Sequence, residues 1–529
     1  MRMTRVLVFW GSATLAGLLG GLGGGAGELF AGEDSVRYAA RANNDFSFDL
    51  YSQLAKQYAG KNLFFSPCSI SIALTIMTEG ARGQTAMEMG KVLRFPEVMR
   101  ETGTGAELMP WRMPLVHRCL ADLRARIASR DDEAAQAASR IEIARLRKEF
   151  GAAEAIAHRL QGRPQYAEAR QAAEQAAARL NEALTKVDQY EIFIANALWA
   201  EKTCPLLDEY VNTIAKYYKT AGVFQADFKS NYPAERVRIN KWIENKTNKR
   251  ISDLVPERPA EQASLLRLVL TNAIYFKGEW SEPFGEAVPR AFTLAGGEET
   301  KTPIMQVSGL KVGRYGAFNA DGSVFDTPVM IRPGQTTGLY PDKKGFAMLE
   351  MPYKGDGLSM VLLVPFAADG LAAIEKKLNA TTLANLLARL RNRQTHVLLP
   401  KFKLQTGCDM KPALQAMGMV RAFTPPVLPK GASFIGMCAS RDPAKRLYIW
   451  EVLHKAFVEV NETGTEVVGV TVAGSGIFGE SGRAELPPLE PFTPVLNADR
   501  PFLFIIRDIR TACIIFVGRM MDPREDTGE

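Results

Sequence analysis

The chain has 529 residues, 47% hydrophobic and 23% charged, enough for a large buried core and too apolar for a disordered chain. A formal charge of +7, from 65 basic against 58 acidic residues, spreads positive charge among negative and excludes nucleic acid as the expected partner. Six cysteines, Cys68, Cys119, Cys204, Cys408, Cys438 and Cys513, lack the close spacing of a disulfide scaffold or zinc site; most are expected as buried thiols, and spacing does not choose which pairs would bridge in an oxidising compartment.

Arg2 and Arg5 precede an apolar run over residues 6–19, which fades into glycine near Ala31 and Gly32. This reads as a signal peptide over residues 1–31 rather than an anchor, because the run ends short of the ~20 apolar residues a spanning helix requires. No later segment is apolar enough to span, so a soluble, exported protein without membrane association is expected, extracellular or periplasmic.

From Tyr51 to Thr78 a helical apolar spacing is interrupted by Asn62-Leu63-Phe64-Phe65-Ser66-Pro67, which reads as helix, short strand, helix. Residues 121–185 are rich in Ala, Arg, Glu and Gln and read as an inserted helical arm. Ile143, Leu146 and Phe150 give it a thin apolar stripe. Arg118, Arg124, Arg126, Arg130, Arg140, Arg145 and Arg147 would suit a polyanion. Asp122, Asp131, Asp132, Glu133, Glu142 and Glu149 interleave with them, which favours a solvated decoration.

Strand-like runs follow at residues 191–200 and 265–276, with helices at 210–219 and 234–246 between them. Later β-branched and aromatic runs lie at residues 346–352, 358–365, 396–404, 447–460 and 501–517. Residues 319–342 and 486–494 read as loops. Helices concentrate early and strands late, an α+β pattern rather than regular βαβ winding.

Several runs, in order, carry a family resemblance over residues 45–523. They are Asn62 to Ile70 followed by Gly80-Ala81-Arg82-Gly83-Gln84-Thr85, then Asn196-Ala197-Leu198-Trp199 and Ile239-Asn240-Lys241-Trp242-Ile243. After these come Leu270-Thr271-Asn272-Ala273-Ile274-Tyr275-Phe276-Lys277-Gly278-Glu279-Trp280, Leu399-Pro400-Lys401-Phe402, and His454-Lys455-Ala456-Phe457-Val458-Glu459-Val460-Asn461-Glu462. In this order they resemble the serpins. The resemblance implies a single domain with three β-sheets, about nine helices and an exposed reactive-centre loop, whose main sheet opens to accept a new strand. It also implies a polar cluster under that sheet, the shutter, at Ser66, Ser69, Asn272 and His454. Trp280 matches the breach, where the loop first enters.

Residues 467–479 carry no charge and no proline. Alternation puts Thr465, Val467, Gly469, Thr471 and Ala473 on one face, all uncharged, so the segment can become a buried strand without stranding a charge. The resemblance makes Glu462, Gly464, Thr465, Glu466, Val467, Val468, Gly469 and Val470 the loop hinge, and Phe478-Gly479 the reactive bond. Val467, Val468 and Val470 depart from the family's alanine-rich hinge and are stiff at the first side-chain torsion. Arg483 offers an alternative bond to a trypsin-like enzyme.

The function implied is suicide inhibition, as a monomer, of a serine proteinase of chymotrypsin-like taste or a cysteine proteinase of similar preference. The alternative is a non-inhibitory serpin acting as carrier or chaperone. An enzyme is poorly served by four histidines and by the lack of a nucleophile elbow, phosphate loop or metal spacing, and no cofactor or metal is expected.

Overall fold

The computed structural model describes residues 32–103, 105, 107–128, 133–160, 163–185, 190–218, 221–335, 337–355, 357–438, 440–465 and 489–524. The expected signal peptide lies outside the described residues. So do Glu466, Val467, Val468, Gly469, Val470, Phe478, Gly479 and Arg483.

Elements are numbered in chain order. The helices are α1 (Glu33–Gln57), α2 (Pro67–Gly80), α3 (Gly83–Val92), α4 (Met113–Ala128), α5 (Glu133–Arg159), α6 (Tyr166–Thr185), α7 (Asp208–Tyr217), α8 (Phe228–Lys246), α9 (Ala260–Ala263), α10 (Leu371–Lys377), α11 (Ala380–Arg389) and α12 (Lys411–Ala416). Among the described residues there are twelve α-helices against the nine or so expected, and α5 and α6 occupy the Ala- and Arg-rich stretch. The Ile143, Leu146 and Phe150 stripe of α5 packs with Leu180 of α6, so each helix covers the other's apolar face.

A six-stranded sheet runs in the order β14 (Phe402–Asp409), β15 (Ile449–Val460), β4 (Leu268–Glu279), β2 (Tyr190–Glu201), β3 (Gly222–Ala226), with β16 (Gly464–Thr465) also on β4. An eight-stranded sheet runs β1 (Leu63–Phe65), β20 (Ile514–Met520), β19 (Phe502–Asp508), β11 (Leu358–Pro365), β10 (Phe346–Pro352), β7 (Arg314–Phe318), β12 (Arg391–Asn392), with β8 (Val324–Phe325) on β7. A four-stranded sheet runs β18 (Val495–Asn497), β13 (Thr395–Pro400), β6 (Glu299–Leu310), β5 (Gly285–Thr293). A two-stranded ribbon pairs β17 (Glu490–Pro491) with β9 (Met330–Ile331) and so ties the two segments read as loops to each other.

The six-stranded sheet separates the cores. Leu268 and Leu270 of β4 face a helical core containing much of α1 and α2, and Ile274 and Phe276 face the core shared with the eight-stranded sheet. The alternate residues Val269 and Ala273 pack with Ile239 and Ile243 of α8 on the other side. Among the residues of α2 only Glu79 is not buried, so this helix lies wholly inside. Its start is set locally: Pro67 supplies the first helical residue, and the Ser66 side chain accepts the Ser69 N–H as N-cap.

Three sequence readings differ from the structure. The run 501–517 is the hairpin of β19 and β20, broken between Asp508 and Ile514. The run 396–404 is two strands in two sheets, because β13 ends at Pro400 against Ile304 and β14 begins at Phe402 against Val460. The β5–β6 pair carries no strand signal in the sequence, because Pro289 stands opposite Pro303 and interrupts the alternation that marks a half-buried strand. Cys204 and Cys438 form a disulfide, with Cα atoms 6.0 Å apart, and Cys68, Cys119, Cys408 and Cys513 are buried thiols. Among the described residues no helix is long and apolar enough to cross a membrane.

Candidate functional site

The site is the seam between β4 and β15. These strands are parallel, with His454 opposite Asn272 and Val458 opposite Phe276. Their outer neighbours, β2 on β4 and β14 on β15, are antiparallel. At the end of β15 the chain reverses, and Gly464 and Thr465 pair antiparallel to β4 at Glu279 and Gly278. The side-chain oxygen of Asn461 holds this reversal by accepting from the Thr463 N–H, the Thr463 hydroxyl and the Gly464 N–H at 3.1 to 3.2 Å. Glycine is required because a Cβ at 464 would lie 2.2 Å from the Gly278 carbonyl oxygen.

Trp280 closes the hinge end of the seam. It is buried, stacks on Tyr353 with centroids 4.6 Å apart, and donates from Nε1 to Asn461 O at 3.0 Å. Its backbone N–H bonds Thr463 O at 3.0 Å, so one residue holds both ends of the reversal. Glu462 pairs with Lys401 at 3.0 Å and accepts the Ala287 N–H. Partial burial pushes its carboxyl up, but backbone N–H bonds and Lys401 outweigh burial and hold it below the usual range. Glu279, opposite Gly464, pairs with Lys354 at 2.9 Å and with Arg147 of α5 at 3.6 Å, so the arm reaches the hinge end.

Deeper along the seam Ser66, Ser69, Asn272 and His454, the four residues expected as the shutter, meet. The Ser66 N–H donates to His454 Nε2 at 3.3 Å, so Nδ1 carries the proton and donates to Asn272 Oδ1 at 2.6 Å. Asn272 Nδ2 donates to Asn196 Oδ1 at 2.6 Å and to Ser69 Oγ at 2.7 Å, and Ser69 Oγ donates to Asn196 Oδ1 at 3.1 Å. Ser66 Oγ donates to Ile515 O at 2.7 Å. This network joins α2, β2, β4, β15 and β20. Burial pushes the His454 imidazole down to about 3, so it is neutral.

Sequence reasoning missed Asn196, Tyr353, Asn461 and Lys401. Asn196 stands in one of the matched runs, but only its register opposite Asn272 makes it the acceptor of the network. The described residues contain no His, Cys, Asp and Glu group that could hold a metal ion. His454 has no acid and no nucleophile beyond this amide and hydroxyl set, which suits a structural hub rather than a proton-transfer centre.

The model of the family described as "Serpin (serine protease inhibitor)" matches residues 41–523. This chain belongs to the serpin family. Human Serpin B3 is 32% identical over 489 residues, which cover 92% of this serpin and 99% of that protein. Among solved structures, uncleaved ovalbumin superposes with a TM-score of 0.62 at 23% identity, covering 92% of this chain and 100% of ovalbumin. Human thyroxine-binding globulin complexed with thyroxine gives 0.64 at 20% identity, covering 93% and 100%. At these identities the superpositions establish the serpin fold, α+β with three main sheets. The family is one of protease inhibitors rather than enzymes, and proteinases are its kind of partner.

Proposed function

We propose that this serpin is an exported, monomeric suicide inhibitor of a chymotrypsin-like serine proteinase, or of a cysteine proteinase of similar preference. In this reading residues 1–31 are the signal, residues 45–523 the inhibitory domain and residues 121–185 an insertion within it. The observation that carries the reading is the parallel seam already engaged by Gly464 and Thr465. A strand continuing from Thr465 separates β4 from β15 and is antiparallel to both, which replaces a parallel pairing by the slightly more stable kind.

Continuing that register sets Val467 opposite Phe276, Gly469 opposite Ile274, Thr471 opposite Asn272 and Ala473 opposite Leu270. These β4 residues face the interior, so the face that becomes buried is the uncharged one. Thr471 arrives between His454 and Asn272, where its hydroxyl accepts the imidazole proton and donates to the amide oxygen, replacing the bond that opening breaks.

The proteinase nucleophile attacks the Phe478 carbonyl, forming an acyl-enzyme and releasing the Gly479 amine. Residues 464–478, at ~3.3 Å each, then make a strand of about 50 Å that draws the acylated enzyme along the sheet. Insertion competes with deacylation, and the stiff Val467, Val468 and Val470 slow it. A second reading, a non-inhibitory carrier, is supported by those valines and by the likeness to thyroxine-binding globulin with its bound thyroxine.

The test is incubation of the mature protein with chymotrypsin, denaturing electrophoresis and N-terminal sequencing of the released fragment. A complex that survives denaturation, with a fragment beginning at Gly479, is the expected result. Cleavage by chymotrypsin, elastase-like and trypsin-like enzymes without any complex would support the carrier reading. A fragment beginning after Arg483 would move the bond.

A further inference from the structure

The β9–β17 ribbon joins two stretches whose composition reads as loop, yet its inner side is firmly held. The Phe492 N–H donates to Val329 O at 2.8 Å, continuing the ladder past Pro491 and Met330. Arg393, two residues before β13, donates to Thr327 O at 2.8 Å, to Pro328 O and to Phe492 O at 3.2 Å, and its guanidinium stands 5.9 Å from the Phe492 ring centroid. Tyr340 packs edge-on against the same ring, with centroids 5.9 Å apart, and its hydroxyl accepts the Val495 N–H of β18 at 2.9 Å. The ribbon is thereby fixed to the four-stranded sheet.

The outer face has the opposite character. Residues directly opposed in an antiparallel pair share a face, as do alternate residues along each strand. Met330 stands opposite Pro491, and Leu489 lies two residues before Pro491, so these three project together, away from the side that holds Phe492 and Ile331. All three are exposed, Leu489 by 56% and Met330 by 43%, and Arg332 lies at the end of the same face. An apolar face held out on a fixed ribbon offers a partner contact area without the cost of ordering a loop.

Position selects the partner. Leu489 is the first described residue after Thr465, and Phe478 precedes it by eleven residues, a tether of at most ~40 Å. A globular enzyme of ~230 residues has a radius of gyration of ~17 Å and spans about 45 Å. An enzyme seated on that bond is therefore as wide as the tether is long, and a bond at Arg483 would bring it closer still. We propose that Leu489, Pro491 and Met330 form a second docking surface for the proteinase that cuts the loop, engaging an apolar patch on the enzyme outside its substrate cleft. The inference rests on the proteinase reading given above, but not on the trapping step.

The experiment takes chymotrypsin whose nucleophilic serine has been converted to dehydroalanine, which binds a loop without cutting it, and measures its affinity for the whole protein by surface plasmon resonance. Met330→Ser combined with Leu489→Ser is expected to weaken binding ~10-fold or more, mainly through a faster off-rate, at an unchanged melting temperature. Val237→Ser, at an exposed position of α8, is the control and should bind as the wild type does. A synthetic peptide of residues 466–488 should bind less tightly than the whole protein. Equal affinity of wild type and double variant, an equal loss in Val237→Ser, a peptide that binds as tightly as the protein, or no binding of the inert enzyme to the wild type would overturn the proposal. So would sedimentation of the wild type as a dimer that the double variant abolishes, which would give the face to a second copy. Covalent trapping plays no part in this readout, so a wild type that traps active chymotrypsin yet binds the inert enzyme no better than the double variant does would overturn this inference alone.

Discussion

His454 stays neutral because its ring is buried and both nitrogens are committed, one accepting from Ser66 and the other donating to Asn272. Its imidazole is lowered from 6.5 to about 3, so as pH falls through that window the unfolded chain takes up a proton that the folded one refuses. Stability is lost on acidification, by at most ~1.4 kcal/mol per pH unit. Glu451 of β15 has the opposite sign. Burial raises it from 4.5 to about 7 despite its ion pair with Arg258, and Arg258 Nε and Glu451 Oε1 have no hydrogen-bond partner among the described residues. Its contribution is present below the unfolded value and lost as pH rises toward 7. Between about 4.5 and 6.5 the two slopes oppose each other. Guanidinium unfolding from pH 4 to 8 should therefore give a shallow dependence for the wild type and a steeper gain with pH for Glu451→Gln across that window; equal slopes would mean the carboxyl is not raised. Asn196→Leu tests the same network at fixed pH. It leaves one Asn272 amide N–H and the Ser69 hydroxyl hydrogen without their acceptor, and a loss of ~1–3 kcal/mol in unfolding free energy is expected.

At the scale of elements, the decisive feature is that Gly464 and Thr465 are already antiparallel to β4. In the proposed insertion the chain after Thr465 would enter by extending that pairing, which would make Thr465 the first residue whose side chain the sheet must absorb. Thr465→Arg places a charge on the face that becomes buried, at a cost above that of any single hydrogen bond lost there. The variant should still be cut at Phe478 at a similar rate but yield free proteinase and nicked serpin, read as a stoichiometry of inhibition raised ~10-fold or more; unchanged stoichiometry would sink the insertion model. The elements that position this seam were largely legible in the sequence. The alternating runs ending at Phe276 and Val460 and the Ser66-Pro67 helix start are local signals, and they fall within two or three residues of the observed boundaries. What stayed hidden was pairing. Tyr353 reaches Trp280, Lys401 reaches Glu462 and Cys204 reaches Cys438 only because strands and helices distant in sequence are brought side by side, and no periodicity encodes which neighbour that is. The arm is intermediate. Its helicity was written in its alanines, but the contact of Arg147 with Glu279 at the hinge end was not.

For the molecule as a whole, the proposed insertion requires that the uncleaved fold, with its parallel seam, be the less stable of two arrangements open to one chain. Uncleaved, residues 466–488 join β16 to the ribbon and to β18, which is held on β13 by register from His396 to Leu398. Cleavage at the proposed Phe478 bond would free the hinge side from that second anchor. In the proposed mechanism strand addition would then supply two new antiparallel ladders and bury the side chains of Val467, Thr471 and Ala473, each apolar group adding on the order of 25 cal/mol per Å². The nicked wild-type protein is therefore expected to melt above the intact one, by ~10 °C if the gain reaches ~10 kcal/mol, because a domain of this size has an unfolding entropy of roughly 1 kcal/mol per degree. Thr465→Arg supplies the control, because it is nicked at the same bond but cannot seat the strand: its melting temperature should stay near that of the intact protein. Equal melting of nicked and intact wild-type protein would mean that cleavage leaves the seam closed, and would place the protein with the carriers of its family rather than the inhibitors.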